Sequence, residues 1–154
     1  MAALSGAGIT VDLPAGWNGV IEGGRLALQL DDGAQRHAVM HLANFPLPEA
    51  RGDFGSSVVG SMGPADILIV LKEFDPEAAK TPLFAAEGLP RAPQPDDFLR
   101  EMLQRPMEGQ GGMQRFFTEA GRAFCLYVVI GSFIDRADLV PALAQILARM
   151  EIES

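Results

Sequence analysis

The chain has 154 residues, of which 48% are hydrophobic and 21% are charged, and its formal net charge is −8. This composition is typical of a folded globular chain and speaks against intrinsic disorder. The acidic balance, without any basic run, speaks against nucleic acid and anionic membrane surfaces as partners, because both carry negative charge.

The length predicts a single domain over residues 1–154. The only cysteine, Cys125, excludes an intrachain disulfide and a Cys-x-x-Cys redox or zinc motif. No apolar stretch approaches about 18 residues, so we expect no membrane-spanning segment. The first residues also do not have the pattern of a leader. We therefore expect a soluble chain of unknown compartment, with export after loss of a leader as an open alternative.

Strand patterns dominate the first half of the chain. Residues 9–13 alternate between apolar and polar side chains, which predicts a strand with one buried face. A hairpin is predicted from a strand over 25–30, a turn at 31–33 and a returning strand over 36–45. The continuous apolar run at 66–72 predicts a central strand, because both of its faces must be covered.

Helices are predicted in the second half of the chain. Asp75 and Pro76 suit the start of a short helix that Pro82 limits to about two turns, and another short helix is predicted over 96–104. The segment 138–150 predicts a longer helix with one apolar stripe that must pack on the sheet. The residues of this stripe are Leu143, Ile146, Leu147 and Met150.

The clearest hairpin precedes the last helix. Strands over 113–118 and 122–132 flank a three-residue loop at 119–121. With a loop of that length, Arg115 lies opposite Cys125. The second strand is apolar on both faces, so we expect a sheet that is packed on both sides.

The opening strand ends in Pro14-x-Gly16-Trp17, a strand-rich middle follows, and a long helix closes the chain at 139–150. This order resembles the PsbP-like superfamily, which includes an extrinsic photosystem II protein, a Ran-binding import factor and many bacterial domains. The resemblance implies an antiparallel sheet with helices on both faces, and binding or accessory roles. We therefore expect an α+β fold, an α/β/α sandwich of about six strands with the C-terminal helix packed on the sheet.

The two histidines, His37 and His41, are the candidates for a metal site. On a helix their spacing would place both rings within reach of one ion. On a strand they would stand roughly 13 Å apart, which is too far. Since a strand is favoured here, we expect structural or surface histidines and no cofactor, with a metal pair as the alternative.

Cys125 is the candidate nucleophile. It lies within an apolar strand, where a buried structural thiol is expected. A guanidinium at Arg115 would lower the pKa of the thiol. Neither histidine is placed beside it as a base, however, so the structural interpretation is favoured.

One ligand pocket is predicted among the aromatic residues. Most of them are expected in the core. Trp17, Arg115 and Tyr127 are predicted to converge where apolar walls meet a few polar groups, a combination typical of ligand-binding sites.

Three functional hypotheses follow. With no assembled catalytic set, the first is a non-enzymatic binding or accessory module that acts through an unidentified protein partner. The second is a small metal- or thiol-dependent enzyme using His37 and His41 or Cys125. The third is self-association into a homo-oligomer through an exposed apolar loop. The apolar side chains of that loop are Val58, Val59 and Met62.

Overall fold

The computed structural model of the protein describes residues 2–23 and 37–154. Eight strands and one α-helix lie within these residues. The strands are β1 (Ala2–Gly6), β2 (Ile9–Leu13), β3 (Asn18–Glu22), β4 (Val39–Ala43), β5 (Ile67–Glu73), β6 (Gly111–Glu119), β7 (Arg122–Ile130) and β8 (Glu151–Ile152), and the helix is α1 (Arg136–Ala148).

The strands form two antiparallel sheets. The larger sheet has the order β3-β4-β5-β7-β6, and the smaller has the order β1-β2-β8. The smaller sheet and α1 pack on one face of the larger sheet, which we call the helix face. The loop between β4 and β5, residues 44–66, packs on the opposite face, which we call the loop face.

The expected sandwich of one six-stranded sheet with helices on both faces is wrong. The segments predicted as short helices form 3-10 turns instead. A proline keeps the residue before it out of the helical region, and Thr81 before Pro82 and Gln94 before Pro95 are both extended. The opening strand also leaves the main sheet, because β2 pairs with β1 and β8. The described part of the chain is therefore mostly β. The turns are Pro76–Lys80, Pro82–Phe84, Pro95–Asp97 and Arg100–Met102.

The alternation of side chains along β5 and β7 separates two cores. On the loop face, Val70, Tyr127 and Val129 pack with Val58 and Val59 of the loop. Each fully buried large apolar side chain contributes about 1.5–3 kcal/mol to the stability of the fold. The loop face therefore holds the loop in place, and the helix face holds α1. The buried side chains of the helix face include Ile69, Leu71, Leu126 and Val128 of the sheet, Ile9 and Val11 of β2, and Leu143 and Leu147 of α1.

Several predicted elements are confirmed, among them the strand at 9–13, which is β2, and part of the returning strand at 36–45, which is β4. β5 is the middle strand of the larger sheet, and α1 buries the predicted apolar stripe. The helix begins at Arg136, before the predicted start at Asp138, and its N-cap residue is Asp135. The predicted strand at 25–30 and turn at 31–33 lie outside the described residues.

The loop at 44–66 does not present the expected apolar surface. Val58 and Val59 lie in the core of the loop face, and Met62 packs against that core. Apolar side chains of this loop are buried because the loop face of the sheet is itself apolar. Self-association through these residues has no support in the structure.

The register of the β6–β7 hairpin differs from the predicted one by one residue. Glu119 pairs with Arg122, so the loop has two residues, Ala120 and Gly121, and Arg115 lies opposite Leu126 instead of Cys125. Ala120 has φ 54° and Gly121 has φ 78°. Two consecutive residues with positive φ give a turn whose twist matches that of the paired strands, which favours the shorter loop.

Replacing Ala120 with asparagine is expected to raise the free energy of unfolding by about 0.5–1 kcal/mol, because asparagine tolerates positive φ better than alanine. Ala120 is exposed, so the substitution changes little else. Urea unfolding measures the effect. Ala120→Val is the matched control and is expected to destabilise; equal midpoints for both variants would contradict the turn geometry.

Candidate functional site

A cavity of about 530 Å³ lies on the loop face at the ends of β3, β4 and β5. Strand residues Glu22, Val39 and Lys72 line it together with residues of the loop. The loop residues are Glu49, Arg51, Gly52 and Asp53. Val39 pairs with both Glu22 and Lys72 in the strand register. Directly paired residues of neighbouring strands point to the same face, so the pairing places these side chains side by side.

His41 lies beside this row and also lines the cavity. It follows Val39 by two positions along β4, which keeps it on the same face. The residue is 3% exposed, and neither ring nitrogen has a hydrogen-bond partner. A buried polar group without a partner costs about 1–3 kcal/mol. The ring beside the cavity therefore lacks a well-formed hydrogen bond, although the backbone of Gly52 lies close enough to favour its charged form.

Burial lowers the pKa of His41, because a charged imidazolium loses its hydration in this position. The backbone of Gly52 and the carboxylate of Asp53 oppose this shift in pKa more weakly. The folded protein consequently favours the neutral ring, which has one N–H donor and one nitrogen acceptor.

The free energy of unfolding is expected to fall as the pH drops below about 6.5, the pKa of an unperturbed histidine. The folded pKa of His41 is lowered. The unfolded chain therefore binds more protons in this range, and stability is lost until the pH passes below the folded pKa. Urea unfolding between pH 8 and pH 5 measures this loss.

A His41→Leu variant is the test of that assignment. Its free energy of unfolding is expected to lose the part of the pH dependence that His41 causes. Above pH 7 the variant is expected to be at least as stable as the wild type, because an unpartnered polar group is removed. His37→Gln is the matched control, since it keeps His41 in place. An unchanged pH dependence in His41→Leu would show that other groups carry it.

Two ion pairs join the loop to the sheet across the cavity. Arg51 pairs with Glu22, and Lys72 Nζ donates a hydrogen bond to Asp53 Oδ2 at 2.7 Å. Lys72 Nζ also lies 5.9 Å from the centre of the Phe54 ring. Both cationic side chains are thus paired with carboxylates and hold the loop close to the strands, while the buried Nε of Arg51 has no hydrogen-bond partner.

His37 and His41 line the same cavity. His37 precedes β4, and its Nε2 lies 2.5 Å from Asp75 Oδ1 in a hydrogen bond. Among residues 2–23 and 37–154, no cluster of three or more histidine, cysteine, aspartate and glutamate side chains could hold a metal ion. Within the described ranges, the structure thus brings the two histidines to one cavity without a third ligand, and the metal pair stays a prediction.

Cys125 is fully buried, and burial raises the pKa of its thiol to about 12, against a weaker opposing effect of Lys72. Lys72 is the cation paired opposite it, in place of the predicted Arg115. The thiol is therefore protonated at neutral pH and is a poor nucleophile.

The structure does not bring Trp17, Arg115 and Tyr127 into one pocket. Trp17 is partly buried against the core of the helix face, and Arg115 forms an ion pair with Asp97. Tyr127 lies in the core of the loop face, where its hydroxyl accepts a hydrogen bond from the Gln104 N–H at 2.7 Å. A ligand-binding role for these residues stays a prediction.

Sequence reasoning found His37 and His41 but missed the charged residues around them. Lys72 carried a detectable signal, because a lysine at the end of a fully apolar strand needs a partner. Arg51 and Asp53 carried none, since charged residues in a glycine-rich loop are ordinarily solvated.

Comparisons with protein-family models, with curated proteins and with solved structures find no match to this chain. In the described part of the chain, no helix is long and apolar enough to cross a membrane.

Proposed function

We propose that the protein is a non-enzymatic binding module that holds a small polar ligand in the cavity beside His41. The observation that carries this proposal is the buried imidazole, which lines the cavity with two unpartnered nitrogens. A ligand group that reaches one of these nitrogens would remove part of the cost of burying the ring. A cavity of about 530 Å³ lies in the usual size range for small-molecule sites.

A metal- or thiol-dependent enzyme has less support. The thiol of Cys125 has a raised pKa, and the described residues contain no metal-binding cluster of three or more side chains. Action through a protein partner, kinship with the PsbP-like superfamily and export stay predictions alongside the binding hypothesis. A reproducible partner in a pull-down with the full chain would support the first of these.

The test of the proposed function is an NMR screen of the isotope-labelled full chain against a library of small polar molecules. Binding at the cavity is expected to shift the resonances of Val39, His41 and Lys72 together. A library without any molecule that shifts these resonances, or with binders that all shift residues elsewhere, would refute the proposed site.

His41→Leu gives the matched test of the role of the imidazole. It is expected to weaken the binding of a cavity ligand about tenfold or more, which corresponds to the loss of about one to two hydrogen bonds. Met40→Leu is the control, because Met40 is the neighbouring residue on the helix face and the substitution conserves its volume. Equal affinities for both variants would contradict the contact with His41.

A further inference from the structure

A cluster of surface side chains surrounds Phe133, in the segment between β7 and α1. The guanidinium carbon of Arg100 lies 4.7 Å from the centre of the Phe133 ring, and that of Arg136 lies 4.2 Å from it. The ring lies over the start of β6, where a Cβ atom on Gly111 would be 2.8 Å from Phe133 Cδ1. The Phe133 N–H also donates to the Gly109 carbonyl at 2.7 Å. A ring that is fixed on the larger sheet thus holds two cationic groups close together.

Neither of these arginines has a carboxylate partner among the residues that the structure describes. Glu101, Asp135 and Asp138 neighbour Arg100 and Arg136 along the chain but pair with neither of them. A guanidinium that lies against a ring keeps N–H donors in its own plane, and these can bind a carboxylate in pairs. Both arginines at Phe133 therefore have donors for a group from outside. By contrast, carboxylates of the protein pair with Arg51, Lys72, Lys80, Arg91, Arg115 and Arg122.

Exposed apolar side chains adjoin the two arginines. Ile134, next to Phe133, is 78% exposed, and Leu99, next to Arg100, is 44% exposed. Apart from these two, Leu83 is the only exposed large apolar residue in the described ranges. Exposed apolar groups beside arginine and aromatic side chains are typical of sites that bind another protein. The residues of this surface, which we call the arginine patch, are Leu99, Arg100, Phe133, Ile134 and Arg136.

The charge of the chain indicates which kind of molecule fits the arginine patch. The formal net charge is −8, which disfavours a nucleic acid or an anionic membrane, because either would extend far beyond the patch over acidic surface. A second copy related by twofold symmetry would bring the patch against itself, and its guanidinium groups would repel one another. A short acidic segment avoids both problems, since salt screens charges more than about 8 Å away.

We infer that the arginine patch docks a short acidic segment of a partner protein that also carries a large apolar side chain. Carboxylates of the segment pair with Arg100 and Arg136, and its apolar side chain packs on Leu99 and Ile134. None of the patch residues lines the cavity beside His41. This surface therefore goes beyond the proposed small-ligand site and does not depend on it.

Three fluorescein-labelled decapeptides test the kind of partner. The first is Asp-Glu-Asp-Leu-Glu-Glu-Leu-Asp-Glu-Asp. In the second every acid is replaced by its amide, and in the third both leucines are replaced by alanine. Each peptide is titrated with the full chain and followed by fluorescence anisotropy. The first peptide is expected to bind at least about tenfold more tightly than either of the others, and added salt is expected to reduce its advantage over the amide peptide.

Arg100→Gln and Ile134→Ala separate the charged contact from the apolar one. Arg100→Gln is expected to weaken binding of the first peptide about tenfold and to leave the amide peptide nearly unchanged. Ile134→Ala is expected to weaken the first peptide and to leave the alanine peptide nearly unchanged. Lys80→Gln is the matched control, because it removes the same charge at an exposed residue outside the patch, and little change in affinity is expected.

Several results would overturn the inference. These are equal binding of the three peptides, no binding of the first peptide, and equal losses in Arg100→Gln and Lys80→Gln. Binding of phosphatidylserine vesicles without binding of the first peptide would assign the patch to a membrane surface instead, and a dimer that Ile134→Ala abolishes would assign it to a second copy.

NMR of the labelled chain distinguishes this inference from the proposed function. The first peptide is expected to shift the resonances of Phe133 and Ile134, whereas a cavity ligand is expected to shift those of Val39, His41 and Lys72. Failure of either binding site therefore leaves the other standing.

Discussion

Replacing Gly131 with alanine is expected to lower the free energy of unfolding by about 3 kcal/mol or more, the upper range for steric overpacking. A Cβ atom on Gly131 would overlap with the carbonyl oxygen of Gly63 and would lie 2.9 Å from its carbonyl carbon. Both atoms belong to the backbone, so no side-chain rotation can relieve the contact. Gly131 does not have positive φ, and the expected effect is therefore steric.

The turn beneath Gly131 is fixed by its own hydrogen bonds. The Gly131 N–H donates to the Asp66 carbonyl at 2.8 Å, and the Asp66 N–H donates to the Gly63 carbonyl at 3.1 Å. The turn lies immediately before β5, so a shift of this turn would disturb the central strand. These contacts explain why the clash cannot be absorbed at low cost.

Gly63→Ala is the matched control, because a Cβ there meets only Asp66 Oδ2 at an ordinary 3.6 Å. Urea unfolding of both variants and the wild type measures the difference. We expect a small change for Gly63→Ala and a large decrease in the midpoint, or failure to fold, for Gly131→Ala. Equal midpoints for the two alanine variants would contradict the close backbone approach.

The sequence predicted the strands and the helix whose own side chains alternate or repeat in a clear pattern. The alternation at 9–13, the apolar run at 66–72 and the stripe of the last helix correspond to β2, β5 and α1. β1 was missed, because Ala2–Gly6 consists of small or weakly patterned residues. β1 is held in place by its pairing with β2, and the spacing of the β1 side chains does not reveal that pairing.

The smaller sheet could not be predicted from side-chain patterns, because its strand pairing joins distant parts of the chain. It pairs the start of the chain with its last residues, since Ile9 of β2 lies opposite Ile152 of β8. A two-residue strand has no periodicity, and so large a separation along the chain leaves no local trace. The predicted helices over the other face failed because prolines limit that part of the chain to short turns.

The candidate site, too, could be predicted only in part. His37 and His41 were identified as the only two histidines, but the cavity forms where loop residues 49–53 meet three strands. The one-residue error in the β6–β7 register had a further consequence: it placed Arg115 beside Cys125, whereas Lys72 occupies that place. A shift of one residue in a strand pair moves side chains to the opposite face, so errors in loop length change the assigned chemistry.

Replacing Arg122 with alanine is expected to lower the free energy of unfolding by about 3 kcal/mol, because a nearly buried carboxylate loses its partner. Arg122 forms two hydrogen bonds to Glu73, each 2.9 Å long, and the two side chains are 15% and 17% exposed. It also donates to the carbonyls of Ala7 and Glu153, both at 2.8 Å. One side chain thus connects β5 and β7 of the larger sheet to one end of the smaller sheet, at the β1–β2 turn and the residue after β8.

The geometry predicts a graded series of variants. Arg122→Lys is expected to lose an intermediate amount of stability, because an ammonium group cannot form the paired bonds to Glu73 and also reach both carbonyls. In Arg122→Ala combined with Glu73→Gln, the loss is expected to be clearly smaller than the sum of the single losses, since each single change leaves the other group unpaired. Hydrogen exchange of the β1–β2 turn is expected to increase in Arg122→Ala.

Arg115→Ala is the control within the same hairpin. Arg115 also forms an ion pair, with Asp97, but the two side chains are 41% and 37% exposed. Solvent screens such a pair, so its loss is expected to cost less than about 1 kcal/mol. If Arg122→Ala and Arg115→Ala proved equally stable, the two sheets would have to be held together by apolar packing alone. The difference between the two variants therefore measures how much stability the four hydrogen bonds of the nearly buried Arg122 add to the packing of Ile9 and Val11 against the larger sheet.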